Sequence, residues 1–148
     1  MSKILPGQSF PRSPYDIEGG LVYFPRMLDK IRLHAAGKLP EDYVPYLSKG
    51  FDGRCSRFLG VKYADLAERV QAGGSDAELL EWCLEHGRRP NQEEVEIWNS
   101  FMLKRGWREM DPSVTAVLEE HKISAGLAGR ADIETFFDFQ EVDEGRKT

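Results

Sequence analysis

Apolar positions recur along this chain at helical spacing, and glycines and prolines divide the recurrence into short segments. Phe24, Met27, Leu28, Ile31 and Ala35 fall on one arc at about 100° per residue, the signature of a helix with one face in a core. Val22 and Leu33 lie nearly opposite, so this helix should touch structure on more than one side. It is predicted to begin near residue 21 or 22, with Pro25 in its first turn, where a missing amide donor costs least. Gly37 supplies a left-handed stop and Pro40 blocks continuation. Residues 41–50 read as a short helix interrupted or initiated around Pro45. In Phe51-Asp52-Gly53-Arg54 the Asp-Gly pair signals a tight turn.

Tyr63, Leu66, Ala67 and Val70 make the stripe of a helix over residues 62–72, closed by Gly73 and Gly74. Ser75 and Glu78 form a capping box ahead of Leu79, Leu80, Trp82, Cys83 and Leu84, and that helix stops at Gly87. Asn91 and Glu94 repeat the cap before Val95, Trp98, Phe101 and Met102, a helix that ends at Gly106 with Trp107 as a hydrophobic clasp. Asp111-Pro112 opens a further helix carrying Val114, Val117 and Leu118, up to a break at Gly126–Gly129. Asp132 is the predicted cap of the last helix, whose Ile133, Phe136, Phe137 and Phe139 need a hydrophobic dock.

Residues 1–19, with Pro6, Pro11 and Pro14, read as an extended arm that Phe10 and Tyr15 anchor. No repeat and no alternating strand pattern stands out. The predicted fold is therefore all-α, a compact irregular domain of five to seven helices with an extended N-terminal arm. Residues 1–110 would form the main body, and 111–148 a helical extension packed on it or on a partner subunit.

Composition narrows the function. Of 148 residues, 41% are hydrophobic and 30% charged, which suits a folded chain rather than a disordered one. Net charge is −5 but uneven. Residues 1–74 hold 11 Lys/Arg against 8 Asp/Glu, whereas 75–148 hold 9 against 17, so an anion belongs with the first half. The acidic second half disfavours extended nucleic-acid binding, which needs a broad basic face. No apolar stretch is long enough to span a bilayer and the opening residues lack a secretory core, so the expected location is cytoplasmic, with no membrane association.

Chemistry-bearing motifs are sparse. There is no glycine-rich phosphate loop, zinc helix, calcium loop or nucleophile elbow, and no cofactor is expected. His34, His86 and His121 sit in different predicted elements, which argues against a three-histidine metal centre. Cys83 belongs to an apolar helix face. Cys55, between Arg54 and Arg57, is the better candidate for a reactive thiolate.

The residues with most to offer are on the first helix. Arg26 and Lys30 are four apart, so their charges repel unless an anion or carboxylate accepts both, and His34 lies one turn further. Asp29 is three residues from both Arg26 and Arg32. A turn at residues 51–54 would bring Arg54 and Arg57 toward this helix. The candidate binding residues are thus Arg26, Asp29, Lys30, His34, Arg54 and Arg57, suited to an anionic small molecule because arginine offers a fixed fork and lysine a mobile point charge. A plainer assignment makes Asp29 and its neighbours a salt-bridge network that orients the helix.

Two other classes stay open. Asp29 or His34 could transfer a proton while Arg54 stabilises developing negative charge, as in a metal-independent hydrolase or isomerase. Alternatively the C-terminal aromatic helix could be the interface of an interaction module, including a homodimer.

The segments Ser13-Pro14-Tyr15, Gly19-Gly20, residues 25–40 (PRMLDKIRLHAAGKLP), and Phe51-Asp52-Gly53-Arg54 with Phe58 and Gly60 resemble a bacterial family known only as a domain of unknown function. The likeness runs from about residue 11 to 110 and extends to Asp143-Glu144-Gly145-Arg146. It implies no activity, cofactor or catalytic residue.

Overall fold

A computed structural model describes residues 4–148. Its elements run β1 (Ile17–Glu18), β2 (Leu21–Val22), α1 (Phe24–Ala35), a 3-10 helix (Glu41–Tyr46), α2 (Gly50–Leu59), α3 (Tyr63–Gln71), α4 (Asp76–His86), α5 (Gln92–Lys104), α6 (Pro112–Ser124) and α7 (Phe136–Asp143). The fold is mostly helical. Among the described residues there are eight helical elements, one more than the upper end of the sequence expectation, the 3-10 helix included.

The arm is not strand-free. Ile17 pairs with Val22 and Glu18 with Leu21 in an antiparallel hairpin. Its turn is Gly19-Gly20, both at positive φ (57° and 84°), the combination that two-residue hairpins favour. A side chain at Gly19 would also collide with Leu80, since its Cβ would lie 2.3 Å from Cδ2. Strands this short carry no readable alternation.

The hairpin delays the first helix. Tyr23 takes a left-handed φ of 75°, so α1 starts at Phe24 rather than 21 or 22, with Pro25 in its opening turn. Val22 then faces α5 from a strand: its amide donates to Asn99 Oδ1 at 3.1 Å and its carbonyl accepts from Trp98 Nε1 at the same distance. Phe24, Met27, Leu28 and Ile31 are buried, while Ala35 is exposed at the helix end.

Phe51-Asp52-Gly53-Arg54 is not a turn. It is the first half of α2, with Asp52 in the opening turn, where a carboxylate meets the positive end of the helix dipole. Gly53 is needed there for space, because a Cβ would sit 2.7 Å from the Ser48 carbonyl oxygen. Both capping boxes form, Ser75 with Glu78 and Asn91 with Glu94. Trp107 is exposed beneath the Arg108 guanidinium instead of clasping the core.

The last helix is capped by Thr135, whose hydroxyl accepts from the Asp138 amide, while Asp132 pairs with Arg130. Ile133 therefore precedes the helix, and it is buried. Phe137 is fully buried against Tyr23 and Phe51, at centroid distances of 6.2 and 5.7 Å, and Tyr15 of the arm meets its edge. Such burial contributes about 1.5–3 kcal/mol. The C-terminal segment thus docks on its own chain, and α6 and α7 face α1 and α2 across a cleft.

Candidate functional site

The cleft has a volume of about 790 Å³. One wall is polar: Arg26 and Lys30 of α1, Tyr43 of the 3-10 helix, and the start of α2 from Lys49 to Arg54. The other is built by α6 and α7, which contribute Val117, His121, Phe136 and Phe139, with Gln140, Asp143 and Glu144 at the α7 end. Arg105, just after α5, closes the side next to Arg54.

Arg26 is almost wholly buried and paired. Its two terminal nitrogens donate to Glu144 at 2.8 and 2.6 Å, a bidentate clamp, and the first also reaches the Arg12 carbonyl at 3.0 Å. Tyr43 donates its hydroxyl to Glu144, and Arg146 adds a further hydrogen bond. Burial alone would raise the Glu144 pKa, but the hydrogen bonds and charges around it win and hold it below the usual value. Glu144 stays ionised and takes both terminal nitrogens of Arg26, while the Arg26 Nε is buried without an acceptor.

Lys30 belongs to a second buried group. Its Nζ lies 2.9 Å from Asp52 Oδ2, an ion-pair contact at an angle outside hydrogen-bond geometry, and 3.5 Å from the Tyr23 hydroxyl. Tyr23 donates to Asp52 Oδ1 at 2.6 Å. Desolvation lowers the Lys30 pKa despite the attraction of Asp52, and burial raises that of Tyr23 well above its usual range.

Arg54 differs from both. No carboxylate pairs with it among the described residues; its Nε, like that of Arg26, is buried without an acceptor. The guanidinium rests on the Phe101 ring at 4.8 Å, and Arg105 stacks on the same ring at 5.1 Å while pairing with Glu109 at 2.8 Å. Desolvation, then the charges of Arg105 and Arg57, lower the Arg54 pKa, but an arginine remains cationic. Beside it lie Lys49 and Gly50, where α2 starts with no side-chain cap hydrogen bond.

Of the six residues chosen from sequence, the structure brings Arg26, Lys30 and Arg54 to one cleft. The other three lie elsewhere. Asp29 bonds the Arg12 amide and guanidinium at 2.9–3.0 Å and lies 3.5 Å from Arg32, while Asp76 binds the same two arginines. That is the orienting salt-bridge network, and it ties the arm and the start of α4 to α1. His34 is exposed two turns beyond Arg26, past the end of the cleft. Arg57 is exposed one turn further along α2 than Arg54, away from the helix start that meets the cleft.

Cys55 points the other way, into the core, with 1% exposure. Desolvation and the neighbouring Asp52 push its pKa well up, so the flanking arginines create no thiolate. His86 stacks on Trp82, and His121 sits in the cleft among Tyr46, Phe136 and Phe139. Among the described residues no group of three or more His, Cys, Asp or Glu side chains is placed to hold a metal ion. Nor is any helix there long and apolar enough to cross a membrane.

Sequence reasoning missed Tyr23, Asp52, Arg105, His121 and Glu144. Their contacts join elements far apart in the chain, which no local pattern encodes.

A family match covers residues 8–146. The chain belongs to the domain of unknown function DUF5069. Every residue of the cleft lies within the matched span. No curated protein matches the chain.

Proposed function

We propose that the protein binds a small organic anion in the cleft between α1, α2 and the α6–α7 pair, with Arg54 as the primary anchor. The observation that carries this reading is the unpaired Arg54 guanidinium, with a buried donor, beside the uncapped start of α2. The terminal nitrogens of this half-buried guanidinium are not enclosed as its Nε is, and a carboxylate or phosphate oxygen could accept from them. Phe51, Phe136, Phe139 and Val117 provide an apolar wall for the ligand's body. Arg26, its charge matched by the bidentate Glu144, shapes the cleft more than it binds.

Asp29 and His34, on which the hydrolase or isomerase reading relied, stand outside the cleft, which favours binding over that chemistry. Two free, buried cysteines suit a reducing cytoplasmic setting. The test is a thermal-shift panel of carboxylate and phosphate metabolites. A ligand at a hundred times its Kd adds about 2.7 kcal/mol, worth roughly 5–10 °C for a chain of this length. A panel that produces no shift contradicts the proposal.

A further inference from the structure

We infer that Lys30 forms an imine with the carbonyl carbon of a small oxo acid held in the cleft. The inference rests on the anion-binding reading above and adds a reaction to it. Three observations support it.

First, Lys30 lies on the cleft wall with only 8% of its side chain exposed, at the edge of the aromatic group formed by Tyr23, Phe51 and Phe137. Second, its nitrogen is one corner of a closed set: Asp52 Oδ2 at 2.9 Å, the Tyr23 hydroxyl at 3.5 Å, and a 2.6 Å hydrogen bond from Tyr23 to Asp52. Third, Arg54 lines the same cleft, and no carboxylate of the described residues competes for its guanidinium with the carboxylate of an acid.

Exposed lysines such as Lys38, Lys49 and Lys62 lack this setting. Lys122 is buried, but it is bonded to Glu119 and to the Ile133 carbonyl and does not reach the cleft.

The chemistry balances without a co-reactant. Asp52 takes a proton from the Lys30 ammonium, and the freed lone pair attacks the carbonyl carbon while the π pair moves to oxygen. Tyr23, which lines the cleft and contacts both partners, relays protons to that oxygen. A carbinolamine results, its C–O bond breaks, and water leaves. Of the three ammonium protons, two depart in the water and one stays on the iminium nitrogen, opposite the Asp52 carboxylate. Burial helps the first step, since each unit by which the lysine pKa falls raises its neutral fraction about tenfold near neutral pH.

The experiment is reductive trapping on the full chain. Wild-type protein is incubated with pyruvate or glyoxylate and sodium cyanoborohydride, then read by intact mass and peptide mapping. The expected result is one adduct, on Lys30, formed at least about tenfold faster than on any exposed lysine. Lys30→Arg, shown folded by circular dichroism, should lose that adduct. Adducts spread over Lys38, Lys49 and Lys62, or none at all, overturn the inference, and the wild-type map decides this even if the variant does not fold. Thermal shifts with lactate, which has no carbonyl to attack, separate the two claims. A shift with lactate and pyruvate but no Lys30 adduct leaves anion binding standing and removes the imine. No shift with any carboxylate or phosphate removes the anion site.

Discussion

Replacing Glu144 by Gln keeps the shape of the clamp and deletes its charge. The pair it breaks is deep: the side chains of Arg26 and Glu144 are 3% and 1% exposed, so water cannot take the place of the lost carboxylate. Removing one member of such a pair costs about 3–5 kcal/mol, because the remaining charge stays buried without compensation. At roughly 2–4 °C per kcal/mol for a chain of this size, the melting temperature should fall by about 6–20 °C near neutral pH. The double variant Arg26→Met/Glu144→Leu should recover most of that loss, since an apolar pair replaces both desolvated charges.

The effect should also depend on pH. The folded-state pKa of Glu144 lies below its ordinary value of 4.5, so the carboxylate's contribution is complete above that value and is lost as pH falls through the folded pKa. Urea unfolding at neutral pH and at about pH 3 measures both claims. A single variant within about 1 kcal/mol of wild type, or a gap that does not shrink in acid, would refute the argument.

Three further outcomes follow from the packing. Gly87→Ala should lower stability by about 1–3 kcal/mol or more, because the new Cβ would lie 1.9 Å from the Leu59 carbonyl oxygen where the ends of α2 and α4 meet; an unchanged denaturation midpoint would contradict that contact. Phe137→Ala should cost about 3–5 kcal/mol and expose the α6–α7 pair to protease, whereas a near-neutral result would mean that the C-terminal segment does not complete the core. Cys55 and Cys83 should react with a thiol reagent only as fast as the protein unfolds, and rapid labelling of Cys55 in native buffer would show that it is neither buried nor held as a thiol.

What the sequence disclosed, and what it hid, divides along the range of the forces involved. Capping at Ser75 and Asn91, the stop at Gly37 and the apolar stripes of α1 and α3 are local, and each appears close to where its pattern puts it. The start of α1 departs from the periodic pattern because Leu21 and Val22, apolar enough to extend a helix backwards, are instead held in a hairpin by Gly19-Gly20 and by α5. Local propensity favours a turn at Asp52-Gly53, whereas a carboxylate at a helix start and a close backbone contact decide for α2. At the site, periodicity put Arg26 and Lys30 on one face. It could not say that Glu144, 118 residues away, would pair with Arg26 while no carboxylate paired with Arg54. Charge counted along the chain does not reveal which charges are already spoken for.

The central claim is that the unpaired Arg54 anchors an anion. The most direct measurement is the Kd of the best carboxylate or phosphate from the thermal-shift panel on wild type, Arg54→Gln and Arg57→Gln, titrated calorimetrically at fixed ionic strength. Loss of a charge-assisted hydrogen bond is worth about 1.5–3 kcal/mol, so Arg54→Gln should weaken binding by roughly 10- to 150-fold. Arg57→Gln, on the solvent side of α2, should leave it within about twofold. Equal affinities for wild type and Arg54→Gln, or equal losses in the two variants, would contradict the account.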